Sequence, residues 1–181
     1  SVSIEDEKEA CRAVTILTEL GHRRIVALIT GTDDHSISQL RYQGYKRALQ
    51  ARDLSVEPEL VLCAEAFTLE EAYRKTKQAI REGIRFTALF AISDNMAIGA
   101  MRALHEEGIR VPEDCSVIGI DGLEISDYVV PRLTTLSQPK EKIGKITVDI
   151  LTDMISGSAG QRNVVLDTEL RTGETILACS M

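Results

Sequence analysis

Along this chain, continuous runs of Val, Ile, Leu and Ala stop abruptly at polar residues, and a helix begins soon after. In Phe90-Ala91-Ile92-Ser93-Asp94-Asn95-Met96-Ala97-Ile98-Gly99-Ala100-Met101 the apolar run breaks at Ser93-Asp94 and a small-residue helix follows at once. Continuous rather than alternating apolar runs belong to parallel strands covered on both faces. Strands alternating with helices predict an α/β, doubly wound, mostly parallel sheet with helices on both faces. Polar strand ends of such a sheet gather along one edge, which is where open parallel sheets hold small molecules.

The expected order begins with a brief strand at 2–4 and a helix over 6–20, whose Ala10, Ala13, Val14, Leu17 and Leu20 share one face. Gly21 closes that helix. A strand at 23–30 and a helix at 36–52 follow, with Ser36 or Ser38 as its cap. The unit repeats as strand 59–63 with helix 68–82, opened by Thr68-x-x-Glu71, and as strand 86–92 with helix 94–107. Strand 115–120 ends at Asp121-Gly122. The rhythm then changes to a loop at 123–132, a short strand at 133–136, a long helix at 139–155, a closing strand at 164–170 and a weakly structured tail.

A chain of 181 residues is long enough for a substantial core. Its net charge of −7, from 28 acidic and 21 basic residues, argues against this segment gripping a nucleic-acid backbone. No apolar stretch is long enough to span a bilayer, so no membrane partner is expected. The start on Ser-Val-Ser-Ile, without a signal-like segment, is expected of a piece of a longer chain. Cys11, Cys63, Cys115 and Cys179 form no C-x-x-C pair and read as structural thiols in a reducing cytoplasm. His22, His35 and His105 lack metal-ligand spacing, and neither a metal nor a cofactor is expected.

The strand ends supply a candidate ligand-binding set: Ser36, Ser38, Arg41, Phe67, Ser93, Asp94, Asp121 and Gln138. A guanidinium, carboxylates, hydroxyls, an amide and one aromatic ring suit a polyhydroxylated or heterocyclic ligand. Each member has a plainer reading. Ser36, Ser38 and Asp94 can serve as helix caps, Phe67 as a hydrophobic staple, Arg41 as a surface ion-pair partner, and Asp121-Gly122 as a turn. Phosphate-loop, dinucleotide, zinc-protease and nucleophile-elbow signatures are missing from the sequence, and His35 beside Ser36 is only a sequence neighbour. A non-enzymatic role is expected. The helix at 94–107 is apolar almost all round. Met96, Ala97, Ala100, Met101 and Leu104 therefore predict either a homodimer interface, with Gly99 permitting close approach, or a helix sandwiched inside one domain.

Several motifs together resemble a known family. Leu20-Gly21-His22-Arg23-Arg24-Ile25, Arg41-x-x-Gly44-Tyr45-x-x-Ala48-Leu49, Ser93-Asp94-x-Met96-Ala97-x-Gly99-Ala100, Val117-Ile118-Gly119-Ile120-Asp121 and Pro131-x-Leu133-Thr134-Thr135-x-x-Gln138 occur in order. They are similar to the effector-binding core of LacI/GalR-type bacterial transcriptional regulators. The resemblance implies two periplasmic-binding-protein-like subdomains with an effector between them, here a sugar or a purine. It implies effector contacts from Arg41 and Asp121, stacking by Phe67, a polar contact from Ser93 and a hinge-side contact from Gln138. Ile37 stands where the family has a hydroxyl.

The same resemblance assigns 22–138 with 164–176 to the C-terminal subdomain, and 1–21 with 139–163 to remnants of the N-terminal one. Operator DNA would be read only by a helix-turn-helix outside this chain. The helices at 6–20 and 139–155 are then expected to have lost part of the sheet they cover. They would pack against a partner copy or swing from their native positions. A periplasmic-type sugar-binding protein is the rival reading, sharing the fold.

Overall fold

A computed structural model describes residues 1–31, 33, 36–157 and 162–179. His35 and its neighbours Thr32 and Asp34 lie outside the described residues. The elements in chain order are β1 (Val2–Ser3), α1 (Asp6–Glu19), β2 (Ile25–Ile29), α2 (Ile37–Gln50), β3 (Val61–Cys63), α3 (Leu69–Arg81), β4 (Ala88–Ala91), α4 (Asp94–Glu106), β5 (Ser116–Asp121), β6 (Thr134–Ser137), α5 (Lys140–Ile155), β7 (Val164–Val165) and β8 (Glu169–Arg171). Short 3-10 turns occupy Pro58–Leu60 and Glu124–Asp127.

The main sheet runs β3-β2-β4-β5-β6-β8, parallel throughout except for antiparallel β8 at the edge. Every residue of β2 and β4 is buried, as continuous apolar strands require. The order reverses direction between β2 and β4. The chain leaves β2 toward β3, then returns past it to β4 and β5. Right-handed crossovers therefore put α2 on one face and α3 with α4 on the other. Ser36 caps α2 and Thr68 caps α3, each accepting the amide three residues on.

Three expectations change. First, the strand expected at 164–170 is two strands. β7 pairs parallel with β1 in a separate two-stranded sheet, and β8 joins β6 in the main one. The crossing between them is anchored by Thr168, which is buried, donates its hydroxyl to Glu9 and accepts Arg12 Nη1 at its carbonyl, 3.1 Å away.

Second, the tail is ordered. Val117 donates its amide to the Thr175 carbonyl at 2.7 Å, and the Thr175 hydroxyl donates to the Val117 carbonyl at 2.6 Å. His22 adds a staple at the same amino end of the strands, bonding Thr87 at 2.9 Å and Ser116 and the Leu177 carbonyl at 3.0 Å. Burial holds its pKa below the ordinary histidine value, which suits a structural ring.

Third, the two helices expected to be stripped behave oppositely. α1 is a full member of the main core, with Ala10, Ala13, Val14 and Leu17 without exposed surface. It lies on α2, and Gly44 makes that approach possible. A Cβ there would meet the Glu7 carbonyl oxygen and come within 2.7 Å of the Ala10 Cβ. α5 has no buried residue, and Val148, Leu151, Met154 and Ile155 are 48% to 88% exposed.

Gly44→Ala is expected to cost about 1–3 kcal/mol through overpacking. Gly144→Ala, on α5 with open space around it, is expected to be neutral or stabilising by about 0.5–1 kcal/mol. Urea midpoints of the two variants check the contrast.

Candidate functional site

The carboxyl ends of β4, β5 and β6 converge on one buried guanidinium. Arg41 enters on the second turn of α2 and is 3% exposed. Its Nε donates to Asp6 Oδ1 at 2.8 Å, and its Nη1 donates to Asp121 Oδ1 at 3.2 Å and to the Ile92 carbonyl. Gln138 Nε2 donates to the same Asp121 oxygen at 2.8 Å. Four chain segments thus meet: the start of α1, the ends of β4 and β5, and the turn after β6.

Asp121 is held in a demanding backbone conformation, with φ of 134° at a non-glycine residue. Such conformations cost on the order of 1–3 kcal/mol and persist where the surroundings enforce them. Here the next residue does so. Gly122 lies against Ser137 so closely that a Cβ would overlap that side chain. Lys140 Nζ caps the Gly122 carbonyl at 2.6 Å. Burial raises the Asp121 pKa above its ordinary value and the neighbouring Asp94 adds to the rise, while Arg41 opposes it.

The other expected residues divide by what already occupies them. Ser93, not Asp94, is the N-cap of α4, accepting the Met96 amide at 3.3 Å. Asp94 has no exposed surface. Its carboxylate accepts from the Leu123 amide at 2.7 Å, the Ser126 hydroxyl at 2.8 Å and the Thr135 hydroxyl at 2.5 Å. It braces the loop after β5 and neither caps the helix nor reaches a cleft.

Ser36 is the α2 cap. Ser38 is 1% exposed and closes a ring with Thr30, accepting its amide at 3.1 Å and donating to its carbonyl at 3.0 Å. Both hydroxyls are therefore structural. Phe67, between β3 and α3, is 42% exposed. Lys140 escaped sequence reasoning, and Asp6 is not in the expected set, although it stands beside Glu5, the position of a frequent Asp in the family that the sequence resembles.

Of the two readings of α4, a homodimer interface or a helix sandwiched inside one domain, its five expected residues follow the second. Met96, Ala97, Ala100 and Leu104 have no exposure and Met101 has 7%, so these residues face the chain's own core. Gly99 serves α3 rather than a second subunit, since a Cβ there would press on the Leu69 carbonyl. What α4 exposes is Arg102, His105 and Glu106, with half-buried Ile98 and the loop carrying Tyr128, Val129 and Val130 nearby. Two neighbouring depressions of 440 and 260 Å³ share Met101, His105 and Val130.

Comparison with known proteins agrees with this geometry. The periplasmic binding protein-like domain matches residues 14–176. MalR, a transcriptional regulator of Clostridium butyricum, is 35% identical over 94% of this chain and 50% of its own length. The repressor PurR of Aliivibrio fischeri is 40% identical over 89% and 48%. This chain spans about half the length of the curated relatives it matches.

Among solved structures, a dimeric Lac repressor superposes with a TM-score of 0.90 at 32% identity, over 99% of this chain and 65% of that one. The CelR regulator in complex with cellobiose gives 0.88 at 32%, over 96% and 53%. A LacI-family regulator of Enterococcus faecium with bound ribose gives 0.90 at 27%, over 99% and 66%.

The Asp121 shift has a testable sign. Between its unfolded value of 3.8 and its raised folded value, the folded chain binds more protons than the unfolded one. This group's contribution to stability therefore falls as pH rises through that window, and the cost is complete above the folded pKa. Unfolding free energies of the wild type minus those of Asp121→Asn, measured by urea titration across that window, are expected to decline with rising pH. A difference that is flat or rising contradicts the assignment.

Proposed function

This chain belongs to the LacI-type family of transcriptional regulators, in their periplasmic-binding-protein-like domain, and from that premise we propose that it is the effector-sensing part of such a regulator. The effector is a small polar molecule, a sugar first and a purine second, held at the strand ends by Arg41, Asp121 and Gln138. Ser93 and Phe67 contribute at the margin. The observation that carries this reading is the Arg41–Asp121–Gln138 cluster, where a buried charge pair is held by a strained backbone at the sheet's topological switch. Binding proceeds without turnover. The protein acts in the cytoplasm, a placement supported by its repressor relatives.

Arg41 bonds the start of α1, just after β1, and Asp121 bonds Gln138, just before α5. Two of the three crossings between the β1–β7 sheet and the main one therefore end at the ligand contacts, the third being the one held by Thr168. An effector that prefers one arrangement of these bonds biases the relation between subdomains, and through it the spacing of DNA-reading heads outside this chain. The burial of α1 supports a subdomain boundary near residue 5, leaving β1, α5 and β7 to the N-terminal subdomain.

The domain pairs with a second copy through the exposed edge of α4 and the Tyr128–Val130 loop. Val130 is 95% and Tyr128 73% exposed beside half-buried Ile98, an apolar rim suited to self-association, and the similar Lac repressor is dimeric. In sedimentation runs Val130→Asp is expected to be monomeric where the wild type dimerises; an unchanged dimer refutes this surface.

Calorimetry of the full-length protein against ribose, cellobiose, maltose and purine bases tests the site. Arg41→Ala and Asp121→Ala are each expected to weaken the effector by about 30-fold or more, the loss typical of a broken buried charge pair. Unchanged affinity in both variants would sink the site.

A further inference from the structure

We propose that Asp6 is a specificity-determining residue, which neutralises Arg41 so that the site accepts an uncharged polyhydroxylated effector and rejects its phosphorylated counterpart. The inference rests on the functional reading above and adds to it a class of ligand and a residue outside the expected set.

An arginine at the end of a sheet is, in isolation, a ready partner for a phosphate, because its planar fork matches phosphate oxygens. Arg41 is not available in that way. Its side chain is 4% exposed and sits between two carboxylates that are themselves largely buried, Asp6 at 12% and Asp121 at 22%. Asp6 takes the Nε edge at 2.8 Å and Asp121 takes Nη1 at 3.2 Å, with the Ile92 carbonyl on the same nitrogen. One cation thus answers two anions. Two further cations, Lys140 and Arg171, bond the Gly122 carbonyl at 2.6 and 3.4 Å, and Arg171 also pairs with Asp127 at 3.0 Å.

A phosphoryl group placed against this guanidinium meets two carboxylates at close range, in surroundings where charges are poorly screened. A hydroxyl meets no such penalty. It can accept from Nη2, for which the described residues supply no acceptor, and donate to either carboxylate. Asp121 alone does not produce this selectivity, since a ligand hydroxyl that engages it leaves Arg41 free to pair with an anion. Asp6 remains on the far edge whatever the ligand does.

The experiment compares wild type, Asp6→Asn and Asp6→Ala in the full-length protein, using calorimetry and thermal melting. The probe pairs are ribose with ribose 5-phosphate, maltose with maltose 6-phosphate, and inorganic phosphate against chloride of equal ionic strength. The wild type is expected to favour the neutral member of a recognised pair by about tenfold or more, and to show no saturable protection by phosphate. Asp6→Asn is expected to narrow that preference several-fold and to gain saturable phosphate protection that Arg41→Gln removes.

A phosphorylated sugar bound by wild type as tightly as its parent, or a preference unchanged in Asp6→Asn, overturns the proposal. If neither member of any pair binds, the effector class proposed above fails, while the phosphate arm still decides the role of Asp6. If the Asp6 variants do not fold, the wild type decides. Saturable phosphate protection that depends on Arg41 refutes the proposal, and its absence together with rejection of the phosphorylated sugars upholds it.

Discussion

A guanidinium with almost no contact with water must be given acceptors by the fold, and Arg41 draws its acceptors from three separate parts of the chain. Leaving such a charge unpaired costs several kcal/mol, so the elements carrying Asp6, Ile92 and Asp121 are constrained to arrive together. The arrangement follows from the topology. α2 starts at the carboxyl end of β2, which puts its second turn beside the ends of β4 and β5. α1 reaches the same point only because Gly44 lets it lie directly on α2. A packing detail on one face of the sheet thus fixes the electrostatics at its end.

The frame of the molecule was legible in the sequence because continuous apolar strands and capped helices are local signals. Arg41, Asp121 and Gln138 could be found by reading strand ends, since a doubly wound sheet brings those ends together whatever the connecting helices do. Which polar group is already occupied was not legible. Ser93 and Asp94 are adjacent and both chemically able to cap α4. Only the loop returning through Leu123, Ser126 and Thr135 decides that the carboxylate is consumed there and the hydroxyl caps. Ser38 was lost to the site for a similar reason, its ring with Thr30 being a tertiary contact. The split of the last strand into β7 and β8 escaped because both halves are very short, and their separate partners are tertiary contacts.

The contrast between α1 and α5 shows how little a helix's own sequence reveals about where it is buried. Both carry apolar positions at helical spacing, yet one is enclosed and the other exposed. α1 is followed by a tight turn at Gly21 and a strand of the main sheet, so its apolar face has somewhere to go. α5 lies between two crossings and, beyond Lys140 at its start, packs mainly on β1, leaving Leu151 and Ile155 uncovered. On α4 the same periodicity was compatible with an outward face or a core helix, and the structure has the core helix, where Gly99 seats α3.

The central claim is that the buried Arg41–Asp121 pair is where a small-molecule effector is read. A crystal structure of the full-length protein with the sugar or purine that binds it most tightly tests this most directly. The account predicts ligand oxygens or ring nitrogens within hydrogen-bond distance of the Arg41 guanidinium and the Asp121 carboxylate, with Asp94 still closed on Leu123 and Thr135. A specifically bound effector that leaves both Arg41 and Asp121 untouched would contradict it.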